Sequence, residues 1–136
     1  MDHLTKEKRS WNMSRIRSQE TTPEIIFRKL IHRAGFRYRL YDKTLPGKPD
    51  LVLKKHRTVV FIHGCFWHGH KNCERGNRPK THKNFWNKKI EGNIARDNKN
   101  RIKLRKIGWR VFTVWECELK NLDSIFAKFK KFIKSV

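Results

Sequence analysis

Acidic side chains are the scarce commodity in this sequence: 12 Asp plus Glu stand against 34 Lys plus Arg, a formal net charge of +22. A compact chain so charged repels itself unless a polyanion neutralises it. Nucleic acid is the expected partner, because each phosphate bound by Lys or Arg releases condensed counterions. Long apolar runs are also missing. Nothing approaches the ~18 residues of a membrane span, and no basic amphipathic helix lacks core-facing duties, so a membrane surface is the weaker partner. The first residues, Met1-Asp2-His3-Leu4, lack the apolar stretch of a secretory signal, so an intracellular location is expected. Cysteines number three, which leaves a disulfide framework one short and suits metal ligation in a reducing compartment. No internal repeat, low-complexity segment or second domain is visible. Aromatics, by contrast, are plentiful at 12% with five Trp, too ordered a composition for a basic tail.

Along its 136 residues the chain reads as a mixed α/β layer structure. Residues 5 to 18 interleave Lys6, Lys8, Arg9, Arg15 and Arg17 with Trp11, Met13 and Ile16. They suit either a solvated helix packed on the body or a basic arm lying in a DNA groove. Thr21-Thr22-Pro23-Glu24 opens a helix with a Thr-x-x-Glu capping box, and Ile26, Phe27, Leu30, Ile31 and Ala34 follow at helical spacing up to Gly35. On this local pattern Glu24 is a capping carboxylate. Phe36 to Leu40, Asp50 to Leu53 and Thr58 to His63 read as three strands of an antiparallel meander. A helix is expected from Lys83 to Ile107, with a kink or break at Gly92. A fourth strand over Trp109 to Trp115 and a last amphipathic helix over Asn121 to Ile133 complete the order.

Two clusters carry chemistry. Cys65-x4-His70-x2-Cys73 offers soft ligands from one loop, and Cys117 follows a strand that returns to the same sheet. Three thiolates and one imidazole suit a closed tetrahedral structural zinc site. On spacing alone His63, His68 and His70 compete for the fourth place. Asp50 opens a strand after Gly47-Lys48-Pro49 and is either a turn residue or a ligand for Mg²⁺, which prefers carboxylates. The neighbouring strand ends at His63, with His68 close behind. A metal-bound carboxylate beside a neutral imidazole suits phosphodiester hydrolysis.

The stretches L-P-G-K-P-D (Leu45 to Asp50), F-I-H-G-C-F-W-H-G-H (Phe61 to His70) and G-W-R-V-F-T-V-W-E-C (Gly108 to Cys117) resemble the very-short-patch-repair endonucleases, the Vsr family. The helix with Glu24, the Phe85-Trp86 pair and the stretch Lys89-Ile90 to Asn93 fall in the same order. The likeness spans about Lys8 to Leu119. It implies a restriction-endonuclease-like fold, a mixed central sheet flanked by helices with a structural zinc site. The implied activity is Mg²⁺-dependent nicking of duplex DNA on the 5′ side of the thymine in T:G mismatches left by 5-methylcytosine deamination.

Residue by residue, the resemblance makes Asp50 the Mg²⁺ ligand, joined by the backbone carbonyl of Ile62, which stands where some relatives have Thr. It makes His68 the general base, His63 the second histidine at the scissile phosphate, and Glu24 an acidic support. Cys65, His70, Cys73 and Cys117 become the zinc ligands. Phe66, Trp67 and Trp86 become an aromatic wedge entering from the major groove, with Met13 intruding from the minor groove. Residues 1–20 would form a DNA-clamping arm and 21–136 one endonuclease domain. Lys89, Asn93 and Arg96 would read flanking DNA. The His-rich run after Trp67 is thinner than in relatives, and any C-terminal extension is expected to be absent. A monomer suffices for one nick, with other mismatch-repair proteins and a repair polymerase as implied partners. A related restriction or homing-type nuclease, or a silent zinc-containing DNA-binding module, are the competing readings.

Overall fold

The computed structural model describes residues 20–135; Met13 and the basic N-terminal arm lie outside them. Helix α1 (Thr22–Arg33) starts where expected. Thr21 caps it by accepting the Glu24 N–H at 3.4 Å, with Pro23 in the first turn. It ends at Ala34, ahead of Gly35 with φ +98°. Its buried stripe is Glu24, Phe27 and Ile31, so a carboxylate sits on the core-facing side.

The sheet runs β1 (Arg39–Leu40), β2 (Leu51–Leu53), β3 (Thr58–His63) and β4 (Arg110–Trp115) in that spatial order. The first two pairings are antiparallel, as the meander predicts, while β4 lies parallel to β3 with His63 opposite Trp115. A parallel neighbour needs a crossover, which helix α2 (Lys83–Lys106) supplies. Helix α3 (Leu122–Lys134) follows β4 and is capped by Asn121, whose side chain accepts from Ser124 N at 3.1 Å.

Period-two alternation splits the core between the sheet's two faces. Leu51, Leu53, Val60, Phe112 and Val114 meet Phe27 and Ile31 of α1 and Ile125 and Phe129 of α3. Val52 and Val59 face the other way, onto Leu104 of α2, with Phe61, Trp109 and Val111 beside them. Phe129 is the keystone of the larger side, edge-on to Phe27, Phe36 and Phe112 at 5.5, 5.1 and 5.3 Å. Truncating such a ring costs about 3–5 kcal/mol.

Two expectations need correcting. The strand expected over Phe36 to Leu40 contracts to Arg39–Leu40, because Phe36 and Tyr38 pack on the core without joining a ladder. Helix α2 runs unbroken through Gly92, and only its Ile90 and Leu104 are buried. Ile102 and Ile107 are each 52% exposed, because this side of the sheet offers a small apolar patch that Leu104 fills. No helix among the described residues is long and apolar enough to cross a membrane.

Candidate active site

A cleft of about 790 Å³ opens where the start of β2, the end of β3 and the middle of α2 converge, and Asp50, Ile62, His63, His68, Asp97 and Arg101 all line it. Asp50 precedes β2, and β3 is its antiparallel neighbour, so its Oδ2 accepts the Ile62 N–H at 2.7 Å. Burial pushes its carboxyl up to about 7, against the help of that hydrogen bond, and the negative charge of Glu24 adds to the rise.

Glu24 is only 1% exposed. Its Oε2 accepts from the Tyr41 hydroxyl at 2.6 Å and from Arg28 Nη1 at 3.0 Å, and its Oε1 accepts the Glu20 N–H at 3.1 Å. The capping box is therefore half made. Thr21 caps Glu24, but Glu24 turns its own carboxylate to partners along the cleft wall. Tyr41, which also lines the cleft, has its phenol pushed up to about 12 by burial and by that hydrogen bond.

His63 closes β3 and is 7% exposed. Burial holds its imidazole down to about 3, with the charges of His68 and Arg101 acting in the same direction. Its ring stacks on His68 at 3.8 Å, nearly parallel at 3°. His68 in turn has its Nδ1 2.6 Å from Asp97 Oδ2. Burial raises the Asp97 carboxyl, but the His68 hydrogen bond and the charges of His63 and His68 outweigh it and hold the group below its ordinary range. A carboxylate on Nδ1 fixes the ring and leaves Nε2 free to take a proton.

The loop after β3 winds tightly, with His68 N bonding Gly64 O at 3.1 Å and His70 N bonding Cys65 O at 2.9 Å. This winding brings one ligand atom each from Cys65, His70, Cys73 and Cys117 within 4.8 Å of one another, a group able to hold a metal ion. The predicted quartet is thus assembled, with His70 and neither of its rivals in the fourth place. Cys117 arrives from the turn Glu116–Lys120 just past β4, and its Sγ lies 3.5 Å from His70 Nδ1. Gly76 passes so close to this loop that a Cβ there would collide with the His70 carbonyl oxygen. Gly69, at φ +62°, presses on α2, where a Cβ would come within 2.6 Å of Ile94.

Between these ligands Phe66 and Trp67 stack at 5.2 Å and 8°, and Trp86 of α2 tilts against both at 5.3 and 6.0 Å. Phe85, 61% exposed, stands edge-on to Trp86 at 5.0 Å. The predicted wedge residues are therefore one aromatic cluster, and Trp67 remains 39% exposed. Asn93 donates from its Nδ2 to the Trp67 carbonyl at 2.8 Å, tying the Phe66–Trp67 loop to α2. Lys89 and Arg96 are exposed on the same helix, and Arg96 lines the cleft.

Asp97 is the residue that sequence reasoning missed. Its only local signal is scarcity: within the 24 residues of α2 it and Glu91 are the two acids, and Glu91 is matched by Arg78 at 2.8 Å.

The geometry can be set beside known proteins. A family model described as "DNA mismatch endonuclease Vsr" matches residues 1–75. The chain is 55% identical over 120 residues to the type II nicking enzyme V.NmeAIP of Neisseria meningitidis serogroup A, covering 88% of this chain and 85% of the relative. It is 45% identical to V.XorIIP of Xanthomonas oryzae pv. oryzae, a type II nicking enzyme, over 97% of this chain and 96% of the relative. Identity to the DNA mismatch endonuclease Vsr of Escherichia coli K12 is 40%, over 88% of this chain and 76% of the relative.

Proposed function

Because the chain belongs to the Vsr family of DNA endonucleases, we propose that it nicks duplex DNA 5′ of the thymine in T:G mismatches, on a restriction-endonuclease-like framework. The observation that carries this reading is the 2.6 Å pairing of His68 with Asp97 in the same cleft as Asp50. His68 Nε2 accepts the proton of the attacking water, while Asp97 holds the ring and stabilises the charge it gains. His63, neutral at physiological pH, offers hydrogen bonding at the scissile phosphate without adding charge. The Asp50 carboxylate, aimed by the Ile62 N–H and crowded by the charge of Glu24, suits a hard divalent cation. Mg²⁺ held by Asp50 and the Ile62 carbonyl would supply charge stabilisation to the phosphate. Glu24, fixed by Tyr41 and Arg28, supports that carboxylate from behind.

Three thiols and an imidazole in mutual reach fit Zn²⁺ by donor chemistry, with Cys65, His70, Cys73 and Cys117 as the closed set. Cys65 and His70 then bracket Phe66, Trp67 and His68, so the wedge and the general base share one stiffened loop. A T:G wobble stacks less well than a correct pair, so aromatic insertion costs less there, out of a few kcal/mol per step. Each aromatic face stacked on a base returns ~1–3 kcal/mol. Phe66, Trp67 and Trp86 serve as that wedge, and Lys89, Asn93 and Arg96 bind flanking DNA, with Asn93 also tethering the loop. Met13 and the basic arm complete the grip on the resemblance alone. The enzyme would act as a monomer in the cytoplasm and hand its nick to a repair polymerase.

The test uses end-labelled matched and T:G duplexes with zinc-loaded protein and Mg²⁺. Nicking confined to the T:G duplex, and abolished in Asp50→Ala with zinc content unchanged, is the expected result. Equal cleavage of both duplexes would point to a nuclease with another target, and no cleavage of either would point to a silent DNA-binding module.

A further inference from the structure

An imidazole at a working site is ordinarily aimed by a hydrogen bond from its second nitrogen. His63 has no such aid: its Nδ1 is buried without a hydrogen-bond partner among the described residues. Ring contacts hold it instead. One face stacks on His68 at 3.8 Å. Trp115, its register partner across the parallel β3–β4 ladder, meets it edge-on at 5.2 Å and 75°. Phe61 lies tilted against it at 5.8 Å. Of these neighbours Trp115 is the one that reaches the metal-binding group, since its indole also lies flat on His70 at 4.1 Å and 10°. Two residues beyond Trp115 is Cys117, a second member of the metal-binding group. An unbroken train of rings therefore runs from that group to the hydrolytic pair: His70 on Trp115, Trp115 on His63, His63 on His68, and His68 on Asp97.

We propose that Trp115 is a positioning residue that carries the rigidity of the metal cluster to His63, so that the cluster orients the reacting imidazoles as well as holding its loop. The inference rests on the proposed zinc site and nuclease activity, but one of its two readouts needs no cleavage. A side chain that lost its metal-side anchor would let the indole rock. With its Nδ1 unpartnered, His63 would then follow.

The experiment compares zinc-loaded wild type, Trp115→Leu and Trp115→Phe, with zinc per chain measured in each. The first readout is the side-chain NMR signal of His63 with isotopically labelled histidine. In wild type it is expected to be sharp and to broaden when zinc is stripped. In Trp115→Leu it is expected to be broad with zinc still bound. The second readout is single-turnover nicking against equilibrium binding of the T:G duplex. Trp115→Leu should nick at least tenfold more slowly while binding within about threefold of wild type, and Trp115→Phe should recover most of the rate. A sharp, wild-type His63 signal in zinc-loaded Trp115→Leu overturns the proposal, as does equal loss of binding and rate. Should Trp115→Leu fail to fold, Trp115→Phe decides: partial broadening is expected, and a signal and rate identical to wild type refute the inference. A wild type that nicks neither duplex counts against the function, and the NMR arm still decides the role of Trp115.

Discussion

The Asp50 carboxylate should cost the metal-free protein stability. Its carboxyl, ordinarily near 3.8, is pushed up to about 7 in the folded chain. Between those two values the folded state keeps a proton that the unfolded state releases. Stability therefore falls as pH rises through that window, and the full cost stands above the upper value. A displacement of about three units, at about 1.4 kcal/mol each, sets a ceiling of roughly 4 kcal/mol. Asp50→Asn is neutral at every pH and keeps an oxygen to accept the Ile62 N–H. In zinc-loaded, Mg²⁺-free buffer near pH 8 the variant should unfold later than wild type by about 2–4 kcal/mol, on the order of 10 °C in Tm. The gap should shrink by about half near pH 5.5, where the carboxyl has regained much of its proton. Added Mg²⁺ should raise the Tm of wild type and leave the variant unmoved. Thermal melts followed by circular dichroism at both pH values suffice. A variant no more stable than wild type near pH 8, or a gap that widens as pH falls, would refute the reasoning.

Asp97→Asn should slow single-turnover nicking by roughly 10²-fold, within the usual span of general-base effects, because His68 loses the charge that supports its protonated form. Zinc content and duplex binding should stay as in wild type, and a loss of binding matching the loss of rate would make Asp97 merely structural. Gly76→Ala should weaken metal retention against a competing chelator, since a methyl group there strikes the His70 carbonyl and forces the ligand loop apart. Unchanged retention would show that the loop yields without disturbing its ligands.

Most of the sheet was readable because each strand's pattern is local: the continuous apolar run Val59 to Ile62 names a buried strand, and the polar turns between strands name a meander. The parallel seat of β4 was not, because pairing partners are chosen by layer packing rather than by either strand's own residues. Glu24 shows a local rule that is right and incomplete. Thr21 caps the helix as its pattern predicts, yet the fate of the carboxylate depends on Tyr41, 17 positions away. Asp97 hid for the same reason. Amid Arg96, Lys99 and Arg101 it reads as a surface ion-pair partner, and its true mate is 29 positions upstream. The ligand quartet was legible from donor type and compact spacing, while the choice of His70 over His63 and His68 needed the family likeness, because spacing leaves all three in reach.

The unbroken course of α2 through Gly92 has a consequence for which sequence changes this scaffold tolerates. Trp86, Asn93 and Asp97 are separated by seven and then four residues, so at 3.6 residues per turn all three fall within about 20° of one line along the helix. That line presents Trp86 to Phe66 and Trp67, Asn93 to the Trp67 carbonyl and Asp97 to His68 in succession, over about 16 Å of rise. A side chain on the outer face of this segment can be exchanged freely. A single inserted or deleted residue between Trp86 and Asp97 cannot be absorbed, because it swings one end by about 100° relative to the other. The helix works as a ruler, and in this stretch the chain's length is more constrained than its composition.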